Sequence, residues 1–178
     1  HGNRAAFLLR YLLAATLVPD TGVYSGYELM ENQPASDTNE EYLHSEKYEV
    51  KHRDWDQPDS LAPFLTRVNE VRHRHPALQQ LRNIRFHRVD NEAIIAYSKG
   101  SRDAADRDVV LVVVNLDPDH VQEATVHLDL PAIGLPEWGP YRAHDELTGE
   151  TYEWNGPSNY VRFDPAAGHV GHGLDLGA

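Results

Sequence analysis

The run Asp108-Val-Val-Leu-Val-Val-Val-Asn115 is apolar from Val109 to Val114 without a break. A strand with one wet face alternates, so an unbroken β-branched run of this length predicts a central strand buried on both faces. Alternation appears further on, where Ala124, Val126, Leu128 and Leu130 interleave with Glu123, Thr125, His127 and Asp129. That pattern predicts a half-exposed strand. Upstream, Asp90 and Asn91 mark a turn before Ala93–Ser98. Downstream, Tyr141–Leu147 and Glu150–Trp154 flank Thr148-Gly149, a hairpin turn, and Tyr160–Phe163 and His169–Leu176 complete the set. Short strands this closely spaced predict an antiparallel β-sandwich over residues 81–178.

The first 80 residues read differently. Arg4–Val18 is apolar nearly all round, as in a helix buried against two neighbours, and Pro19 ends it. Arg10 interrupts the run, which argues against a signal peptide, and the run is too short to span a membrane. The β-branched and aromatic stretch Gly22-Val-Tyr-Ser-Gly-Tyr-Glu-Leu29 predicts a strand. Residues 30–58 have little periodicity, yet Tyr42, Leu43, Tyr48 and Trp55 predict an ordered, functional loop. From Leu61 to His75, the spacing of Leu61, Leu65, Val68, Val71 and Arg72 predicts a second helix. Asp59 or Ser60 would cap it and Pro76 would stop it.

The chain has 178 residues, 28 of them acidic and 16 basic, giving a formal charge of −12. An acidic surface without a Lys/Arg stripe repels phosphate backbones and anionic lipid, which argues against nucleic-acid or membrane partners. The absence of cysteine excludes disulfides, thiolate nucleophiles and Cys-based zinc sites, and fits a cytoplasmic protein. The chain opens on His1, and the expectation is that further sequence precedes it.

Neither a phosphate-binding Gly-rich loop nor a nucleophile elbow is present. Among the 11 histidines, His73 and His75 point apart on a helix. His169-Val-Gly-His172 offers two donors beside glycines, but spacing nominates no third ligand. The expectation is solvated surface histidines and no metal site. The loop is the best site by position, because Glu40-Glu-Tyr-Leu-His-Ser-Glu-Lys-Tyr-Glu49 places one cation and aromatic rings among carboxylates. Charged groups beside flat rings suit sugars; equally, Tyr42, Tyr48 and Trp55 could anchor the loop. Composition leaves both readings open.

The stretch Gly22–Glu28 resembles barrel strand eight of the α-amylase superfamily, glycoside hydrolase family 13. Glu40–Tyr48, His52-Arg-Asp-Trp55, Arg74–Ile84 and Ile94-Ile-Ala-Tyr-Ser-Lys99 are similar to the maltosyltransferase family within it, which extends α-1,4-glucans from maltose 1-phosphate. The likeness runs over nearly the whole chain. Two departures are visible: Pro19-Asp-Thr-Gly22 lacks an aromatic before Gly22, and His44 stands where an acid is expected.

The resemblance implies an α/β plus all-β chain: residues 1–80 as the last helices and strand eight of a catalytic (β/α)8 barrel, then the β-sandwich. It implies that the nucleophile, the general acid and the third carboxylate lie in motifs upstream of this chain, which alone would be inactive. It implies a retaining mechanism with no metal or organic cofactor, and, for the full-length protein, a homodimer. Of the residues present, Lys47 would line the donor pocket and hydrogen-bond the sugar. Tyr48 and Glu46 would adjoin it, and Glu28 would shape the strand-end floor. Two other readings remain: a non-catalytic carbohydrate-binding or barrel-covering sandwich, marked by exposed aromatics among Trp138, Tyr141, Tyr152 and Trp154, or another family 13 enzyme active on α-glucans.

Overall fold

The computed structural model describes residues 2–43, 50–101 and 108–177. Helix α1 spans Arg4–Leu17 and α2 spans Ala62–Arg74. Between them lies a small hairpin of β1 (Pro34–Ser36) and β2 (Asn39–Tyr42). Eight strands follow: β3 (Ile84–Val89), β4 (Ile94–Gly100), β5 (Val109–Asn115), β6 (Gln122–His127), β7 (Pro140–Asp145), β8 (Thr151–Asn155), β9 (Ser158–Phe163) and β10 (Gly171–Gly177).

These eight strands form one antiparallel sheet, in the order β8-β7-β10-β5-β4-β3-β6-β9. The sheet folds over at β3. Its first half, from Ile84 to His87, pairs with β4, while Arg88 and Val89 pair with β6. The two outermost strands, β8 and β9, are consecutive in sequence. Their turn uses Gly156 at φ 70°, which brings the ends of the sheet together and nearly closes it into a barrel-like sandwich.

Strand β5 explains the two-sided burial. Leu111 and Val113 face the inside of the folded sheet with Val126, Phe163, Leu174 and Trp154. Val110, Val112 and Val114 face outward, against Leu8, Leu12 and Ala15 of α1 and Val68 of α2. The helices therefore cover the outer face of the central strands. Close approach needs Gly171: a Cβ there would sit 2.6 Å from the Val113 carbonyl and 2.9 Å from Leu12.

Helix α1 has no basic residue in its own last turn, and its terminal carbonyls are met from elsewhere. The Arg72 guanidinium of α2 donates to the carbonyls of Ala15, Val18 and Pro19. Lys99 of β4, fully buried, donates to Leu17 and Leu78. Cations at a helix C-terminus satisfy open carbonyls and favour the dipole. At the other end, Asn3 accepts from the Ala6 amide and donates to Asp119 before β6.

The expected strand over Gly22–Leu29 is not formed. The backbone is open to residue 24, then turns at Ser25-Gly26 into a short 3-10 turn, Tyr27–Leu29. A barrel strand is held by parallel neighbours, and no strand of the described residues lies beside this one. The described residues show the antiparallel sandwich and two helices packed on it; they do not show the end of a (β/α)8 barrel.

Candidate functional site

The turn at Ser25-Gly26 and the segment from Lys51 to Trp55 meet at Glu31. Arg53 is the centre of the junction, with a side chain only 3% exposed. Its Nε donates to Glu31 Oε1 at 2.9 Å and its Nη2 to Glu31 Oε2 at 3.2 Å and to the Ser25 carbonyl at 3.2 Å. Lys51 Nζ reaches Glu31 Oε2 at 2.8 Å. The Arg53 hydrogen bonds hold the Glu31 carboxyl below the usual carboxylate range, against the opposing effect of burial. Gly26 lies at φ 98°, a conformation that favours glycine, and a Cβ there would crowd the Glu31 carboxylate at 2.5 Å.

Beside this junction Glu31, Asn32, Gln33, Tyr42, Leu43 and Lys51 line a cleft of about 260 Å³. Asn32 and Tyr42 also line a neighbouring hollow with Arg10 and Tyr27. The Tyr24 and Tyr42 rings lie 5.5 Å apart, and Trp55, 49% exposed, sits 5.7 Å from the Arg53 guanidinium. Rings, a carboxylate, amides and an amine gathered around a cleft can hydrogen-bond hydroxyls and cover the C–H face of a sugar.

Lys47, Tyr48 and Glu46, expected to bind the donor sugar, lie outside the described residues. Glu28 joins the turn to α2, its carbonyl accepting from the Leu61 amide at 2.7 Å. Its side-chain Oε2 is buried without a hydrogen-bond partner. The sequence did not single out Arg53 or Glu31. An arginine two residues before a tryptophan in His52-Arg-Asp-Trp55 was the available signal.

The expectation of solvated histidines fails at His169 and His172. His172 is buried on β10, and its Nδ1 lies 2.8 Å from Oδ2 of Asp145, which is fully buried at the end of β7. An inward-facing position on β10 places the imidazole inside the sheet, with the Phe163 ring 5.0 Å away. Of the four aromatics that would mark a sugar-binding face, Tyr141 and Trp154 belong to the core and Tyr152 packs against it. Only Trp138 projects, at 71% exposure.

Residues 86–175 match the family described as GLGE, C-terminal. The chain is 54% identical over 178 residues to alpha-1,4-glucan:maltose-1-phosphate maltosyltransferase 2 of Streptomyces coelicolor, a match covering 97% of this chain and 26% of that protein. It is 48% identical over 182 residues to the maltosyltransferase of Mycobacterium tuberculosis, covering 100% of this chain and 25% of that one. The chain thus spans about a quarter of the length of these curated relatives. Among solved structures, the maltogenic alpha-amylase AmyB of Thermotoga neapolitana superposes with a TM-score of 0.64 at 13% identity, over 99% of this chain and 37% of that one. An Anoxybacillus alpha-amylase superposes with a TM-score of 0.60 at 17% identity, over 98% and 32%. At these identities the likeness is one of fold.

Proposed function

Because the chain belongs to the GLGE C-terminal family, we propose that it is the C-terminal part of a retaining maltosyltransferase. The full-length enzyme transfers maltosyl units from maltose 1-phosphate to the non-reducing end of α-1,4-glucans and releases phosphate. The observation that carries this reading is identity of about half the residues, over nearly the whole chain, to proteins of that name. Retention requires two displacements: a carboxylate takes the anomeric carbon as phosphate leaves, and an acceptor hydroxyl then displaces the carboxylate. In this reading residues upstream of the chain supply the reacting carboxylates, and 1–80 complete a catalytic barrel that the sandwich, 81–178, covers. The full-length protein would act in the cytoplasm, as a homodimer.

This chain's contribution is the donor side of the cleft. Lys47 hydrogen-bonds the sugar, with Tyr48 and Glu46 beside it. The junction of Arg53, Glu31 and Ser25 supports this by tying the far shoulder of the loop to the turn beneath it. A flexible stem carrying three donors suits sugar hydroxyls, and a charged hydrogen bond contributes about 1.5–3 kcal/mol.

The test is phosphate release from maltose 1-phosphate by the full-length protein with an α-glucan acceptor. Lys47→Ala should lower kcat/KM by roughly 10- to 150-fold, whereas Glu49→Ala should change it little, as an exposed ion pair within the loop would contribute under about 1 kcal/mol. Equal losses in the two variants would remove Lys47 from the donor site. A full-length protein that releases no phosphate would overturn the reading as a whole.

A further inference from the structure

Three potential metal donors converge at one end of the folded sheet, and none of them lines the cleft. Asp145 closes β7, His169 lies in the connection that enters β10, and His172 is on β10. One nitrogen of each ring and one carboxylate oxygen all lie within 4.8 Å of one another. The two imidazoles meet edge to face, their centroids 4.8 Å apart.

A buried Asp–His pair accounts for two of the three. Asp145 Oδ1 accepts from the amides of Leu147 and Gly173, and Oδ2 accepts from the Thr148 hydroxyl and faces His172 Nδ1. The pair leaves His169 unexplained. Its Nε2 is buried with no hydrogen-bond partner, at a cost a folded protein rarely carries. Neutral imidazole is the form that ligates metals.

We propose that Asp145, His169 and His172 bind a divalent transition-metal ion, with zinc the best match to two imidazoles and a carboxylate. The ion takes the place of the proton between His172 Nδ1 and Asp145 Oδ2, and that proton moves to Nε2 as the neutral His172 ring changes tautomer. Ligand distances of about 2.0–2.2 Å require the donors to stand roughly 3.4 Å apart in a tetrahedron. The Asp145–His172 contact therefore opens slightly and the His169 ring swings inward, with water as the fourth ligand. The amides on Asp145 Oδ1 stay in place and orient the carboxylate. Such an ion is structural: it ties β7 to β10 and to the connection before it, and takes no part in sugar transfer.

Zinc chloride titrated calorimetrically into the chelator-treated protein tests this. The expected result is one saturable equivalent. His169→Ala removes a ring that holds no side-chain hydrogen bond, so the fold should survive by circular dichroism while affinity falls at least about tenfold. His120→Ala, at an exposed histidine, should leave affinity unchanged. Absence of binding tighter than about 1 mM, or equal affinity in folded His169→Ala, would overturn the site.

Discussion

His75 Nδ1 lies 2.6 Å from Asp108 Oδ1, joining the end of α2 to the residue that precedes the central strand. The other Asp108 oxygen accepts from the Ala77 amide at 2.7 Å, and Arg74 pairs with Glu146 beyond the end of β7. Through these contacts the helical segment is fastened to the sandwich at the strand on which both clusters of the core depend.

The first prediction concerns this fastening and pH. Burial pushes the His75 pKa down, but Asp108, with Asp175 and Glu146 behind it, outweighs burial and raises it above the usual imidazole value. A group with a raised folded pKa adds stability below its unfolded pKa of about 6.5, and loses it as pH rises through the folded value. His75→Asn should therefore lower Tm more at about pH 6 than at about pH 9, because the stabilisation by the protonated ring fades as pH rises through the folded value. Differential scanning calorimetry at the two pH values checks the sign; an equal Tm gap at both would be the contrary result.

Gly171 tests the approach of α1 to β10. Gly171→Ala drives a methyl into the Val113 backbone and Leu12, and overpacking of this kind costs about 1–3 kcal/mol. Gly22→Ala meets nothing within 4 Å and should change stability by less than about 0.5 kcal/mol. Urea denaturation of the two variants separates them.

Arg72 makes a further comparison. Its guanidinium satisfies three carbonyls at the end of α1, a fork that lysine cannot reproduce. Arg72→Ala should cost about 1–3 kcal/mol, with Arg72→Lys recovering only part of it. Equal stability of wild type and Arg72→Ala by denaturant titration would show that solvent caps the helix as well as the arginine does.

The two periodicities carried most of the architecture because each reports a burial that both neighbours of a residue share. Val109–Val114 reads as doubly buried, and so it is, since α1 and the sheet interior compete for alternate side chains. The α1 stripe and the Leu61, Leu65, Val68 and Val71 face were legible for the same reason. What failed was everything that depends on a distant partner. Gly22–Leu29 has strand composition without a ladder to join. Arg72 reads as the end of an inner stripe, and only its reach to α1 makes it a cap. His169 and His172 read as solvated because Asp145 lies on another strand. In the cleft, aromatics near a cation marked the region. Arg53 escaped notice because a buried guanidinium is defined by Glu31 and the Ser25 carbonyl, which sequence does not place beside it.

The Arg53–Glu31 pair yields the last prediction. The guanidinium is nearly inaccessible, so removing its carboxylate leaves a buried cation with one fewer acceptor, a larger loss than breaking an exposed pair. Glu31→Gln should destabilise the protein by about 1.5–3 kcal/mol at neutral pH. The sign of the pH effect follows from the lowered Glu31 pKa: its contribution is present above the unfolded value of about 4.3 and fades as pH falls through the folded value. The stability gap between wild type and Glu31→Gln should accordingly narrow in acid, because the wild-type carboxyl becomes as neutral as the amide. Arg53→Lys should resemble Glu31→Gln at neutral pH, since one ammonium cannot reach Glu31 and the Ser25 carbonyl with the same fork. Guanidinium-induced unfolding at neutral and acid pH measures both effects. A gap that stays constant with pH would mean that the Glu31 charge does not hold Arg53 in place.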